Sequence, residues 1–448
     1  MTDQLDRAHQ SDSHSEPTGV YAGDAPTRAQ SRGMRAFWFD GFFAWFSEWI
    51  VLQYLTLYAL AFGASDVQIG YLAALVSLSA ALAFLPGARL AEVWGRRKAI
   101  VLLTSGGAAR VILLGLVVLP FFSEGKGVIY AVMALGSLRT FFGSLGMPAW
   151  TSLAADIVPP SIRGRFFSSR NLGMNAAALV SAPLAGLMID QMGFPRGWES
   201  VWLLALFTGL LSTAFYSRIP EREITHAIPT PPATENAKGG MLNDRNFLGF
   251  CAVTFIWNLA LYIAAPFFNV HLIRNMGGNE GWVGILLAVN SVSALGGQVF
   301  VGRLLDQRGA RWLMAVSGFA IVSLPLGWLA VTKPWQVLFI NGAGGAMWAA
   351  YNLAWFSLLL YISPANKRAF YSAVNQMTVY AAAFVGPLIG GALGELYGLP
   401  FLFLVSGLGR LVAAGLFVPL VKEIPGDVPA AVVSGGLEVQ PVEEAEGI

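Results

Sequence analysis

The chain has 448 residues, 55% of them hydrophobic and only 12% charged, with a formal net charge of +2 and a mean hydropathy of +0.59. Soluble domains carry about a quarter of their residues as charges, so this composition excludes a soluble globular enzyme and marks an integral membrane protein. The near-neutral balance gives no footprint for nucleic acid, and the single Cys251 cannot form an internal disulfide.

Residues 1–33 are polar, rich in Ser, Asp, Gly and Pro without an apolar core, and are expected to form a disordered cytoplasmic tail rather than a cleavable signal. About 20 apolar residues in a helix cross the ~30 Å hydrocarbon layer. Such segments recur near residues 34–62, 68–88, 99–121, 127–155, 166–189, 200–217, 247–273, 282–301, 312–332, 335–361, 370–392 and 399–421. The expected fold is therefore an all-α membrane protein of twelve transmembrane helices; the short alternating segments of a barrel are missing. Residues 218–246, with Pro229, Pro231, Pro232, Gly239 and Gly240, form a polar linker between a first group of six (34–217) and a second (247–421). Residues 422–448 turn acidic, with Glu438, Glu443, Glu444 and Glu446, and are expected to be a disordered tail.

Most of the lysines and arginines fall on the side of the N-terminus. Four (Lys126, Arg196, Arg274, Lys333) lie opposite and three (Arg110, Arg139, Arg410) within spans. Because basic loop residues stay inside, both termini are expected in the cytoplasm, with the protein in the plasma (inner) membrane.

The halves repeat one another. Ile69-Gly70, Ser77, Ser79 and Ala80 match Val283-Gly284, Ser291, Ser293 and Ala294 at a constant offset. At a second offset, Pro160, Phe166, Ser168, Asn171, Pro183 and Gly186 match Pro364, Phe370, Ser372, Asn375, Pro387 and Gly390. Two pseudo-symmetric six-helix bundles related by an axis along the membrane normal follow, with the substrate site between them.

Two loop sequences carry a family resemblance. After span two the chain reads Leu90-Ala91-Glu92-Val93-Trp94-Gly95-Arg96-Arg97-Lys98, and after span eight Gly302-Arg303-Leu304-Leu305-Asp306-Gln307-Arg308-Gly309-Ala310-Arg311. Both resemble the loop signature of the major facilitator superfamily, with Glu92 in place of the usual Asp. The resemblance implies a major facilitator fold in which Glu92, Gly95, Arg96, Gly302, Asp306, Gly309 and Arg311 latch the halves on the cytoplasmic side, an acid at a helix end pairing with Arg and with a neighbouring helix N-terminus. The plainer alternative is that the arginines set topology and the glycines make the turn.

Glu48 and Arg139 lie near the middle of spans one and four. A charge at the bilayer centre costs at least ~2.5 kcal/mol, so such residues have a partner or a task. Leu135, Arg139, Phe142 and Gly143 resemble the arginine signature in span four of proton-coupled drug antiporters, with Phe142 where glutamine is usual. In that fold spans one and four share a half and line the cavity, which places Glu48 and Arg139 at a common depth. Moving the arginine, or giving it an anionic substrate group, would change the proton affinity of Glu48. The alternative is a static pair that fastens two helices, although a buried pair is a poor source of net stability. Gly136, Gly143 and Gly146 lie on or near the Arg139 side and would let another helix approach. Asp40, two turns before Glu48, is a candidate proton relay or a partner for Arg35 or Arg170. Arg110 and Arg410 fall in spans the resemblance makes peripheral, and a structural role is expected for both.

In the second half, Asn258, Tyr262, Pro266 and Asn269 form one helical stripe, and Asn341, Gly345, Trp348, Asn352 and Trp355 another. Asn258, Tyr262, Trp348, Asn352 and Trp355, joined by Asn375 and Gln376, could form an aromatic and amide wall for a small-molecule substrate; ordinary packing between helices is the alternative. Antiporters of this superfamily carry Gly-Pro-x-x-Gly-Gly in span five. Here that span has a degraded Ala182-Pro183-Leu184-Ala185-Gly186, and the intact motif is Gly386-Pro387-Leu388-Ile389-Gly390-Gly391 in span eleven. No metal-site, phosphate-loop or nucleophile motif supports catalysis or a cofactor. The expected function is secondary transport, proton-coupled, leaning to efflux of amphipathic or aromatic compounds by a monomer. Import of a polar solute such as a sugar is the runner-up, and a non-transporting receptor is more remote.

Overall fold

The computed structural model describes residues 28–122, 127–158, 162–220, 244–364 and 368–422, and these are almost wholly helical. Most of the expected tails and linker lie outside these residues. In chain order the helices are α1 (Arg28–Ala61), α2 (Asp66–Trp94), α3 (Arg97–Phe121), α4 (Gly127–Ile157), α5 (Arg163–Met192), α6 (Arg196–Tyr216), α7 (Arg245–Met276), α8 (Glu280–Arg308), α9 (Ala310–Ala330), α10 (Pro334–Ile362), α11 (Arg368–Tyr397) and α12 (Leu399–Leu420). Ten are long and apolar enough to cross a membrane; α1 and α8 are as long but less uniformly apolar. The fold is thus an all-α, multi-span membrane fold. α1 begins at Arg28, inside the stretch expected to be a polar tail, and Gly33 packs there against Pro220.

The ends of the helices follow local rules. Ser65 caps α2 by accepting from the Gln68 amide at 3.3 Å, and the Gln68 side chain accepts from the Ser65 amide at 2.9 Å, a reciprocal capping box. Asn279 caps α8 by accepting from the Trp282 amide at 3.0 Å. Gly95 (φ 62°) and Gly309 (φ 80°) turn the chain between α2 and α3 and between α8 and α9, in a conformation that other residues adopt at a cost. Within α3, Thr104–Ala108 form a π-helical turn, whose loosened Gly106 carbonyl accepts from Thr213 Oγ1 of α6 at 3.1 Å. Pro266 interrupts α7 with a short 3-10 turn, Ala265–Phe267.

Because successive helices alternate in direction, one face carries the Arg28, Trp94 and Leu420 ends and the opposite face carries the Ala61, Met192, Met276 and Tyr397 ends. Helices α1 to α6 pack on one another, as do α7 to α12, and the two groups meet along α2 with α11 and α5 with α8. Glycines set these seams. A Cβ on Gly70 would strike the Pro387 carbonyl and fall 3.2 Å from Gly391 Cα, and one on Gly284 would fall 2.6 Å from Pro183 Cα. Gly70 and Gly284 are matched positions of the repeat, so the same residue makes the same close approach in both halves.

Candidate functional site

Glu48 and Arg139 meet. Arg139 Nη1 donates to Glu48 Oε1 at 3.1 Å and Nη2 to Oε2, a bidentate pairing between α1 and α4. α4 reaches α1 because Gly136, one turn before Arg139, has no side chain; a Cβ there would lie 2.7 Å from Leu55 Cδ2. The two partners differ in access. The Arg139 side chain is 4% exposed and that of Glu48 is 38% exposed, so the carboxylate is the open member of the pair. Gly146 packs against Thr104 and Ser105 of α3, while Gly143 accepts from Ser105 Oγ at 3.1 Å.

Asp40 is buried one rung below. It accepts from Ser212 Oγ of α6 at 2.7 Å, and Arg170 Nη2 of α5 lies 3.7 Å from its other oxygen. Arg170, rather than Arg35, is thus the basic neighbour. It is held by a bond from Nε to the Phe37 carbonyl at 3.3 Å and by the rings of Phe37 and Trp150, 4.6 and 5.0 Å from its guanidinium carbon.

Arg110 departs from the peripheral role expected of it. Its Nη1 donates to Ser47 Oγ at 3.1 Å, Ser47 in turn donates to the Ala205 carbonyl at 2.6 Å, and the guanidinium lies in the space left by Gly209. It is buried within electrostatic reach of both Glu48 and Asp40. Its position follows the π-helical turn Thr104–Ala108, and one extra residue per turn rotates everything after it by about 100°. Arg410 is likewise turned inward, fully buried, with its guanidinium 5.6 Å from the Trp348 ring.

The residues of the expected substrate wall separate into two groups. Asn375 is fully buried and donates to Thr254 Oγ1 at 3.3 Å, and Trp348 packs with Trp257 and Tyr351 inside the second half, ring centroids 6.3 and 5.9 Å away. These two are core residues. Asn258, whose Nδ2 donates to the Thr254 carbonyl at 2.9 Å, and Asn352, Trp355 and Gln376 are half-buried. Tyr262 is buried where Gly386 lets α11 approach α7.

Of the expected latch, Gly95 and Gly309 make the turns, Gly302 has open space around it and Arg96 is exposed. Arg311 donates to the Val421 and Val418 carbonyls at 2.8 and 2.7 Å, satisfying the end of α12. The side chains of Glu92 and Asp306 lie outside what the structure describes. A link between the halves stands on the opposite face instead. There Arg274 of α7 pairs with Asp66 of α2 at 2.6 Å and donates to the Ala64 carbonyl, while Asn279 donates to Asp190 of α5 at 2.7 Å. Tyr54 hydroxyl donates to the Ala182 carbonyl at 2.7 Å close by.

The sequence profile of the Major Facilitator Superfamily matches residues 37–380 and again 283–442. The chain belongs to that superfamily. It is therefore a transporter rather than an enzyme, moving a small solute by secondary active transport across a bilayer in which it is embedded. The multidrug resistance protein MdtG of Salmonella typhi is 25% identical over 391 residues, 84% of this chain and 92% of that protein. Among solved structures, the nucleoside transporter NupG superposes with a TM-score of 0.71 at 13% identity, covering 87% of this chain and 100% of that one. A bacterial homologue of the human lysosomal transporter Spinster, inward-facing and occupied, superposes at 0.68 with 14% identity, covering 90% and 98%. These two likenesses concern the fold.

Proposed function

We propose that the protein is a proton-coupled transporter of twelve spans in two six-helix bundles, with both termini cytoplasmic, that exports amphipathic or aromatic compounds. The bidentate Glu48–Arg139 pair carries the coupling. An exposed carboxylate held by a buried arginine can be protonated from the cavity, and protonation removes the charge that holds the arginine in place. The arginine is then free to take another anionic or polar partner, and the equilibrium between the two conformations shifts with it. Asn258, Tyr262, Asn352, Trp355 and Gln376 are the proposed contacts for the solute in the second half; Trp348 and Asn375 act behind them as packing. Glu92 and Asp306 remain the proposed cytoplasmic latch, closed in the conformation alternate to this one. MdtG is named for multidrug resistance, and likeness to it over most of both chains supports export over sugar uptake.

The test separates coupling from binding. In sealed proteoliposomes, Glu48→Gln should abolish accumulation driven by a pH gradient while leaving exchange of solute at equilibrium. A mutant that still concentrates solute on the gradient as wild type does would remove Glu48 as the proton carrier. Competition by lipophilic cations rather than hexoses would support export of amphipathic compounds.

A further inference from the structure

Five charges of the first half alternate in sign along one line of neighbours. Arg170 on α5 faces Asp40 on α1, Asp40 lies within reach of Arg110 on α3, Arg110 within reach of Glu48 on α1, and Glu48 is paired with Arg139 on α4. Three cations face two acids, so the set carries one excess positive charge when both acids are ionised. We propose that Arg110 is a shared counter-ion of Asp40 and Glu48, a positioning residue that sets the pH at which Glu48 takes its proton. The inference rests on the proton-coupled reading of the Glu48–Arg139 pair.

Three observations support it. Arg110 is placed by a dedicated arrangement: a π-helical turn immediately before it, the Ser47 hydroxyl that accepts from Nη1, and Gly209, where a Cβ would fall 2.7 Å from the guanidinium. Its Nε has no hydrogen-bond partner among the described residues, so packing and capping do not account for the whole group. Ser47, the anchor, is the immediate neighbour of Glu48, which ties the position of the cation to that of the acid.

The consequence is electrostatic. A buried cation near a carboxylate disfavours its protonation. Arg139 can swing away when Glu48 is neutralised, whereas Arg110 is fixed to α1 through Ser47 and to α6 through Gly209. It therefore sets a constant bias on both acids, and a second proton on the set is opposed by the charge the first one adds.

Infrared difference spectroscopy of the full chain in lipid reads this without a solute, because a protonated carboxyl gives its own C=O stretch. Glu48→Gln and Asp40→Asn assign the bands. Arg110→Gln should move the midpoint of the Glu48 band to higher pH by about one unit, and Arg110→Lys, which keeps the charge, should restore it. Should Arg110→Gln fail to fold, Gly209→Ala displaces the guanidinium with the charge retained and should move the midpoint in the same direction. A purely structural Arg110 would lower thermal stability in these variants with the midpoint unchanged, and that result would overturn the proposal. A titrating band that survives Glu48→Gln and Asp40→Asn unaltered would instead overturn the coupling reading beneath it.

Discussion

Ser212 and Asp40 show what a single hydroxyl does in this interior. A hydrogen bond to a charged acceptor contributes about 1.5–3 kcal/mol, and a buried carboxylate stripped of it has Arg170, at 3.7 Å, as its remaining close neighbour. Ser212→Ala should therefore lower the melting temperature of the purified protein, and the loss should vanish in the Asp40→Asn background if the two residues act as one unit, a cycle that thermal unfolding can close. The pairing of Glu48 with Arg139 was legible in the sequence because each charge sits in the middle of an apolar span, where little but a partner can hold it. Arg110 was equally visible as a mid-span charge, but its direction was not. The π-helical turn before it changes the register of α3, and nothing in the composition of Thr104–Ala108 marks that insertion.

Helices α10 and α11 show the limit of periodicity. A stripe of polar and aromatic residues marks a face without saying what it faces, and core and cavity stripes share the same spacing. Trp348 and Asn375 belong to stripes read as a substrate wall, yet the structure sets them into the core of the second half, against Trp257 and Thr254. The seams between the halves were more legible, since Gly70 and Gly284 recur at matched positions, and the structure uses both for close approach. α5 and α8 meet at Gly284, where the nearest atoms are backbone and cannot move aside as a side-chain tip would. Gly284→Val should accordingly hold the halves apart on the Met276 face. Spin labels placed at the ends of α5 and α8 should report a longer distance in the mutant than in wild type; an unchanged distance would mean that the seam tolerates the extra volume.

Taken together, the two halves are joined in this structure on the face opposite the chain termini. The Arg274–Asp66 pair and the Asn279–Asp190 bond cross between them there, at loop ends where hydropathy gives no warning of contact. Arg274 is about one-third exposed, so the pair contributes on the order of 1 kcal/mol, enough to shift a balanced two-state equilibrium about fivefold. Asp66→Arg should populate the alternate conformation, and Asp66→Arg with Arg274→Asp should return the population towards wild type, as read by distance distributions across that face. Such an equilibrium transports uphill only if something biases it differently on the two sides of the membrane, and the proton on Glu48 is the proposed bias. The most direct measurement is proton movement itself. With a pH-sensitive dye inside proteoliposomes, transport of solute by wild type should be accompanied by a matching proton flux that Glu48→Gln removes; solute transport at the wild-type rate with no change in internal pH would contradict the coupling.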